Sequence, residues 1–361
     1  MININKFKAF LKRKNIEISL KRYGVEALGA MAQGLFCSLL IGTIIKTIGV
    51  QCSIPFLTDI GTYAMAIAGP AMAVAIGYAL KADPMVLFSL AAVGWAANAE
   101  GGAGGPLAVF FIAIIAAEFG KAVSKETKVD ILVTPAVTIL VGVALAKLIA
   151  PPIGEGANAF GLLINNATNL QPFLMGVAVS VLVGIALTLP ISSAAICSVL
   201  ALTGLAGGAA VAGCCAQMVG FAVMSFRENR WGGLVSQGLG TSMLQMPNIV
   251  KNPRIWIAPT VVSAITGPIA TCVFGLQMNG AAINSGMGTC GMCGPIGVIT
   301  GWLSPSEEAI AKGASAIVPT AFDWIGLVLI CIVLPAVLAP LLNALLRKIG
   351  WVKDGDLKLN G

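Results

Sequence analysis

Stretches of roughly 20 predominantly apolar residues, the length that carries a helix across a bilayer core, recur along almost the whole 361-residue chain. Such repetition restricts the fold severely, because inside lipid every backbone N–H and C=O has to find its partner within the protein. The expectation is an all-α polytopic membrane protein. Composition agrees: 57% of residues are hydrophobic and 10% charged, where charged residues make up about a quarter of a soluble domain. Little chain is left for a separate soluble catalytic domain.

Basic residues set the expected orientation. Lys6, Lys8, Lys12, Arg13, Lys14, Lys21 and Arg22 precede an apolar run from Ala27 to Val50. That run is too long for a cleaved signal segment, so it reads as a first span. Residues 1–25 read as a cytoplasmic basic amphipathic segment, with Ile4, Phe7, Phe10 and Leu11 at helical spacing. Further Lys and Arg residues cluster at Lys81, at Lys121/Lys125/Lys128, at Arg227/Arg230/Lys251/Arg254 and at Arg347/Lys348/Lys353/Lys358. Loops rich in Lys and Arg stay on the cytoplasmic side. The connections 51–59, 151–171 and 277–284 hold Asp59 and Glu155 but no basic residue, and are expected outside. Both termini then lie in the cytoplasm, and the net charge of +7 describes orientation, with no nucleic-acid partner.

Ten transmembrane helices thread this pattern, near 26–50, 60–80, 85–100, 104–120, 130–150, 172–189, 190–205, 206–226, 254–276 and 321–346. They form one membrane domain over 26–346, followed by a cytoplasmic tail, 347–361. Two Gly-rich stretches, 232–248 and 283–302, are too broken for simple spans and read as re-entrant or discontinuous segments, which are tolerated where they are buried or line a wet cavity. A weak internal echo accompanies them: GAGGPLAVF at 102–110, GMCGPIGVI at 291–299 and, more loosely, GLAGGAAVA at 204–212. Each joins a Gly-rich turn to an apolar helix start. Half-helices aimed at a solute would look like this, and so would small residues that merely let helices pack closely.

Polar residues in such a setting are costly, which makes them candidates. Asn98 and Glu100 sit between two apolar segments beside a glycine turn, either as functional groups at membrane depth or as a solvated hairpin tip. Gln237, Thr241, Ser242, Gln245 and Asn248 form a second cluster, in which 237, 241, 245 and 248 would share one face of a helix. Amides and hydroxyls both donate and accept without imposing charge, which suits a sugar-like solute. The other reading is an amphipathic surface helix. Gln217 lies in an otherwise apolar span and either binds solute or joins helices. Asn284 and Thr289 flank the last Gly-rich segment and complete the candidate substrate-binding set, while Glu118 with Lys121 and Asp323 read as structural pairs or anchors.

The chain contains no histidine, so a His-based triad, a His-ligated metal and phosphohistidine are all excluded. Among nine cysteines, CGMC at 290–293 is a single pair with no second pair to complete a zinc site. No Walker loop is present. No catalytic residue, metal or cofactor is expected.

The runs TLPISSAAI at 188–196, AGCCAQMVGF opening the block 212–253, and SGMGTCGMCGPIGVI at 285–299 resemble the enzyme IIC-like membrane family of the phosphotransferase system. Within it the chain is similar to the branch called PfoR-type toxin regulators. The resemblance covers nearly the whole chain. It implies about ten spans with re-entrant hairpins, a transport part moving against a dimeric scaffold, and carriage of a sugar-like solute across the bacterial cell membrane. Separate IIA and IIB phosphocarrier proteins would phosphorylate the solute. Better-known sugar members place a His and a Glu at the sugar; here there is no His, and Glu100 is left as the candidate counterpart. Two other functions remain open: an ion- or proton-coupled secondary transporter, and a membrane sensor acting indirectly on gene expression.

Overall fold

The computed structural model describes residues 4–359; residues 1–3 and 360–361, and the side chains of residues 4–7, lie outside the described part, and with them the expected apolar positions Ile4 and Phe7. The described chain is helical almost throughout. Six helical runs are long and apolar enough to cross a membrane, or seven when a bent pair counts as one. The chain divides into two compact units, one comprising residues 1–42 and 59–156 and the other 43–58 and 157–361.

The first unit begins with α1 (Ile4–Arg13) and the first part of α2 (Arg22–Gln51), which continues into the second unit. It resumes at residue 59 within α3 (Pro55–Ala66) and goes on through α4 (Ala68–Ala79), which is bent by 49° from α3. Next come α5 (Pro84–Gly101), α6 (Gly105–Val123) and the first part of α7 (Asp130–Thr168). By length Pro84–Val123 is a single 40-residue run, yet it is a hairpin. Val86, near one end, lies against Gly120, near the other, which a straight helix would hold roughly 50 Å away at 1.5 Å per residue. Gly102, at φ 49°, makes the reversal that a side-chain-bearing residue resists. The stretches 85–100 and 104–120, expected as spans, are therefore two separate helices.

Close approach between helices in this unit depends on small residues, as is general where lipid gives no hydrophobic drive for helices to associate. A Cβ added at Gly34 would stand 2.5 Å from the Ala71 carbonyl oxygen, and one at Gly69 would stand 2.4 Å from that of Gly94. One end of the unit collects Arg13, Lys14, Arg22, Lys121 and Lys125. The Leu80 carbonyl accepts from both Arg22 (2.8 Å) and Lys121 (3.0 Å), and Lys121 also donates to the Asn15 carbonyl at 2.8 Å. Arg13 pairs with Glu126 at 2.8 Å, and Lys14 donates to the Ser124 carbonyl. Glu118 and Lys121 form an i,i+3 pair at 2.8 Å. Through the contacts of Arg13, Lys14, Arg22 and Lys121, the N-terminal segment, the loop at 80–83 and the loop at 124–126 share one end.

The second unit contains the remainder of α7, then α8 (Pro172–Thr188), α9 (Ser193–Val199), α10 (Gly204–Met224), α11 (Phe226–Val235), α12 (Met246–Lys251), α13 (Pro253–Val273), α14 (Cys293–Leu303) and α15 (Ala321–Lys348). Two expectations change here. The connection 151–171, expected as a loop, is helical as far as Thr168, because Pro151 and Pro152 are absorbed inside α7. The expected span 190–205 is replaced by the seven-residue α9 between two irregular stretches. Pro190 interrupts the chain before it, and Ala201 with φ 47° turns it afterwards. Of the two stretches expected to be broken, 232–248 falls into short turns on either side of an extended Thr241, and 283–302 becomes a 3₁₀ turn at Ala282–Gly286 followed by α14. The three echo sequences lie at the N-termini of α6, α10 and α14. Asp323 caps α15 by accepting from the Thr320 backbone N–H at 2.7 Å.

Candidate functional site

Helix α10 is the spine of the second unit, with 89% of its most apolar window buried. Its glycines let backbone touch backbone: a Cβ at Gly208 would lie 1.8 Å from the Leu276 oxygen, and one at Gly213 would lie 1.9 Å from the Ser180 oxygen. Two broken segments, 189–203 and 274–292, cross beside its N-terminal half. Gly204 and Met278 exchange both backbone hydrogen bonds at 3.0 Å. The Ser193 hydroxyl donates to the Gly286 carbonyl at 2.7 Å, and the Ser285 hydroxyl donates to the Leu202 carbonyl at 2.6 Å. Irregular backbone is thereby satisfied by the backbone and serine hydroxyls of the opposing segment, the condition for keeping it inside a membrane protein.

Several polar groups at this crossing have unused capacity. The Thr203 hydroxyl and Asn279 Oδ1 are buried without a hydrogen-bond partner, although Asn279 Nδ2 donates to Gln277 at 3.0 Å. Asn284 is half-buried with its amide against Gly297 of α14, and no side-chain hydrogen bond is formed by it among the described residues. Gly297 and Gly301, four residues apart on α14, bring that helix up to Asn284 and to the Asn279–Gly280 backbone. Immediately before α14, Gly288, Gly291 and Met292 all adopt left-handed backbone, with φ of 52°, 51° and 58°. For Met292 this is strain of the kind that gathers at functional sites. An unpaired buried polar atom costs about 1–3 kcal/mol, so Thr203 and Asn279 are suited to a ligand that brings its own hydroxyls.

The other residues singled out in the sequence are placed as follows. Gln217 lies on α10 and accepts from Trp256 (3.0 Å) and Thr188 (3.3 Å) while donating to Thr260 (3.3 Å); Ser242 joins the same network through Thr188 at 2.8 Å. Gln237, Gln245 and Asn248 come together as a ladder: Gln245 donates to Gln237 and Asn248 donates to Gln245, both at 2.8 Å. Thr241 caps the turn that follows it, accepting from the Met243 N–H at 3.1 Å. Thr289 donates to the Gly238 carbonyl. In the first unit Asn98 packs against Gly69 and Gly105, and Glu100 forms an ion pair with Lys147 of α7. Cys290 and Cys293 are buried, with the Cys293 sulfur 3.3 Å from the Thr47 hydroxyl.

Sequence reasoning passed over Thr203 and Lys147. The Leu-Thr-Gly sequence before α10 is a helix-start signal that marks Thr203, whereas nothing local marks Lys147, which is 47 residues from its partner.

The family model for the enzyme IIC component of the phosphotransferase system matches residues 25–359. The chain belongs to this family. Comparison with curated proteins and with solved structures finds no match to it. As an enzyme IIC protein it is a multi-pass component of the cell membrane and the permease part of a phosphotransferase system. The match begins within the first turn of α2 and extends through residues 351–359.

Proposed function

We propose that this enzyme IIC protein carries a sugar or sugar-like polar solute by alternating access, and that the crossing of segments 189–203 and 274–292 holds that solute. The observation that carries the reading is the set of unpartnered polar groups there, Thr203, Asn279 and Asn284, beside the N-terminus of α10 and against the flank of α14. All three side chains are neutral. They offer hydroxyl and amide hydrogen bonds, and the N-terminus of α10 adds partial positive charge without a fixed ion. In this reading the second unit is the transport part and the first the scaffold of a homodimer. Both termini are cytoplasmic, and separate IIA and IIB proteins phosphorylate the solute.

The test is thermal stabilisation of the purified protein against a panel of sugars, polyols and sugar acids, since a ligand selective for the folded state raises its apparent stability. With a stabilising solute in hand, Asn284→Ala and Thr203→Val should each weaken its affinity by about tenfold, the cost of roughly one lost polar contact. Wild-type affinity in both variants would move the site elsewhere. The proton-coupled alternative rests on Glu100, whose carboxylate is already paired with Lys147. Under the phosphotransferase reading, Glu100→Gln leaves phosphocarrier-dependent uptake in place.

A further inference from the structure

The amide stripe at Gln237, Gln245 and Asn248 is occupied, and its occupant is a peptide. Segment 351–359 runs along it, and side chains of the second unit bind its backbone at four positions, 351, 357, 358 and 359. Asn252 donates to the Trp351 carbonyl (3.0 Å), Asn229 and Gln245 both donate to the Leu357 carbonyl (2.8 and 3.0 Å), and Asn248 donates to the Lys358 carbonyl (2.9 Å). The Leu359 N–H donates in turn to Asn229 Oδ1 at 2.8 Å. Val352 and Leu357 are buried as apolar anchors, and the base of the segment is held where Arg347 pairs with Glu228 and Asp354. This is recognition of a turn-containing backbone by side-chain amides, with two buried apolar anchors.

The same amides lead inward. Gln245 divides its two N–H groups between Leu357 and Gln237, and Gln237 divides its own between the Ser225 hydroxyl and the Gly233 carbonyl, both at 2.9 Å. Both glutamines are fully buried with every donor used, so neither can turn over without breaking a bond. The residue after Gln237 is Gly238, and its carbonyl accepts from Thr289, in the left-handed loop that precedes α14. We infer that segment 351–359 is an in-chain peptide latch whose seating on Asn229, Gln245 and Asn248 fixes the loop 284–292 through Gln237 and Thr289. The link to solute binding rests on the proposed function; the latch and its relay do not.

Amide hydrogen exchange of the full-length protein without solute tests the relay by itself, because exchange reports local opening region by region. Two variants loosen the latch differently: Leu357→Ala removes an anchor, and Asn229→Ala with Asn248→Ala removes hydrogen bonds only. Exchange should rise by about tenfold in 351–359 and also in 284–292, while α8 stays as in the wild type. Adding Thr289→Val should make 284–292 insensitive to either latch variant. The inference is overturned if 351–359 loosens while 284–292 does not, if neither variant loosens 351–359, or if the loop still follows the latch in the Thr289→Val background. A separate failure of every sugar to bind would count against the proposed solute site and leave the relay standing.

Discussion

At the scale of single residues, the second unit is held together by what α10 lacks. The Cβ that Ala would add at Gly213 has a backbone oxygen 1.9 Å away, and at Gly208 one 1.8 Å away. A flexible side chain can swing aside from such a contact; a carbonyl in a packed helix or segment cannot. Gly213→Ala and Gly208→Ala should therefore each destabilise the protein at the upper end of the usual overpacking range, about 3 kcal/mol or more. Gly156→Ala, where a Cβ would meet nothing within 4 Å, should be near neutral. Melting of the three purified variants checks this, and equal melting of all three would refute it. The sequence does not reveal which of its 43 glycines carry this load, because a helix contact is a property of two surfaces and each glycine shows only one. The amide stripe illustrates the same point. Spacing brought 237, 245 and 248 together correctly, yet it assumed one helix, and Thr241 is extended at φ −159°. The segment that occupies those amides lies more than 100 residues further along the chain.

Among elements, the ends of the helices show how loops are fastened. Asp83, just ahead of α5, receives hydrogen bonds from Lys125 at 2.6 Å and from Ser124 at 2.9 Å, which ties the start of α5 to the loop after α6 and so closes the open end of that hairpin. The Lys125 hydrogen bond is the main reason the Asp83 carboxyl is held below its ordinary value; burial opposes it, while Ser124 and the Lys125 charge assist. A carboxyl depressed in the folded state contributes stability above the unfolded value, about pH 3.9, and loses that contribution as pH falls through the folded value. Asp83→Asn should thus melt a few degrees below the wild type at pH 7, with the gap closing below about pH 4. A gap of the same size at both pH values would show that the aspartate acts by shape alone. This fastening was not legible in the sequence, although the helices were. Length and apolarity reveal a span directly, and the Gly-rich echoes correctly marked three helix starts. The error at 190–205 arose because a short apolar run reads alike as a span and as a buried broken segment.

For the whole molecule, orientation is the property that the basic residues determine. In the first unit the basic N-terminal segment, the loop at 80–83 and the loop at 124–126 meet at one end. In the second, Arg254 stacks on Trp351 and Arg347 pairs with Glu228, so the basic stretches 227–254 and 347–358 also share an end. Each unit therefore gathers the Lys and Arg clusters that the sequence assigned to one side, which is the arrangement that a positive-inside bias requires. Cys52, exposed in the connection between α2 and α3, falls on the opposite side in this scheme. The exposed residue Lys353, replaced by cysteine, supplies a reporter for the inner side. A membrane-impermeant maleimide applied to intact cells should label Cys52 and spare Lys353→Cys until the membrane is permeabilised, with the labelled peptide read by mass spectrometry. Cys197, Cys214, Cys215, Cys290, Cys293 and Cys331 are buried and should stay silent in both conditions, since a thiol reacts only when it is accessible and ionised. The reverse pattern, Lys353→Cys labelled first and Cys52 protected, would invert the protein in the membrane. It would also place the peptide latch on the outer face, away from any cytoplasmic phosphocarrier.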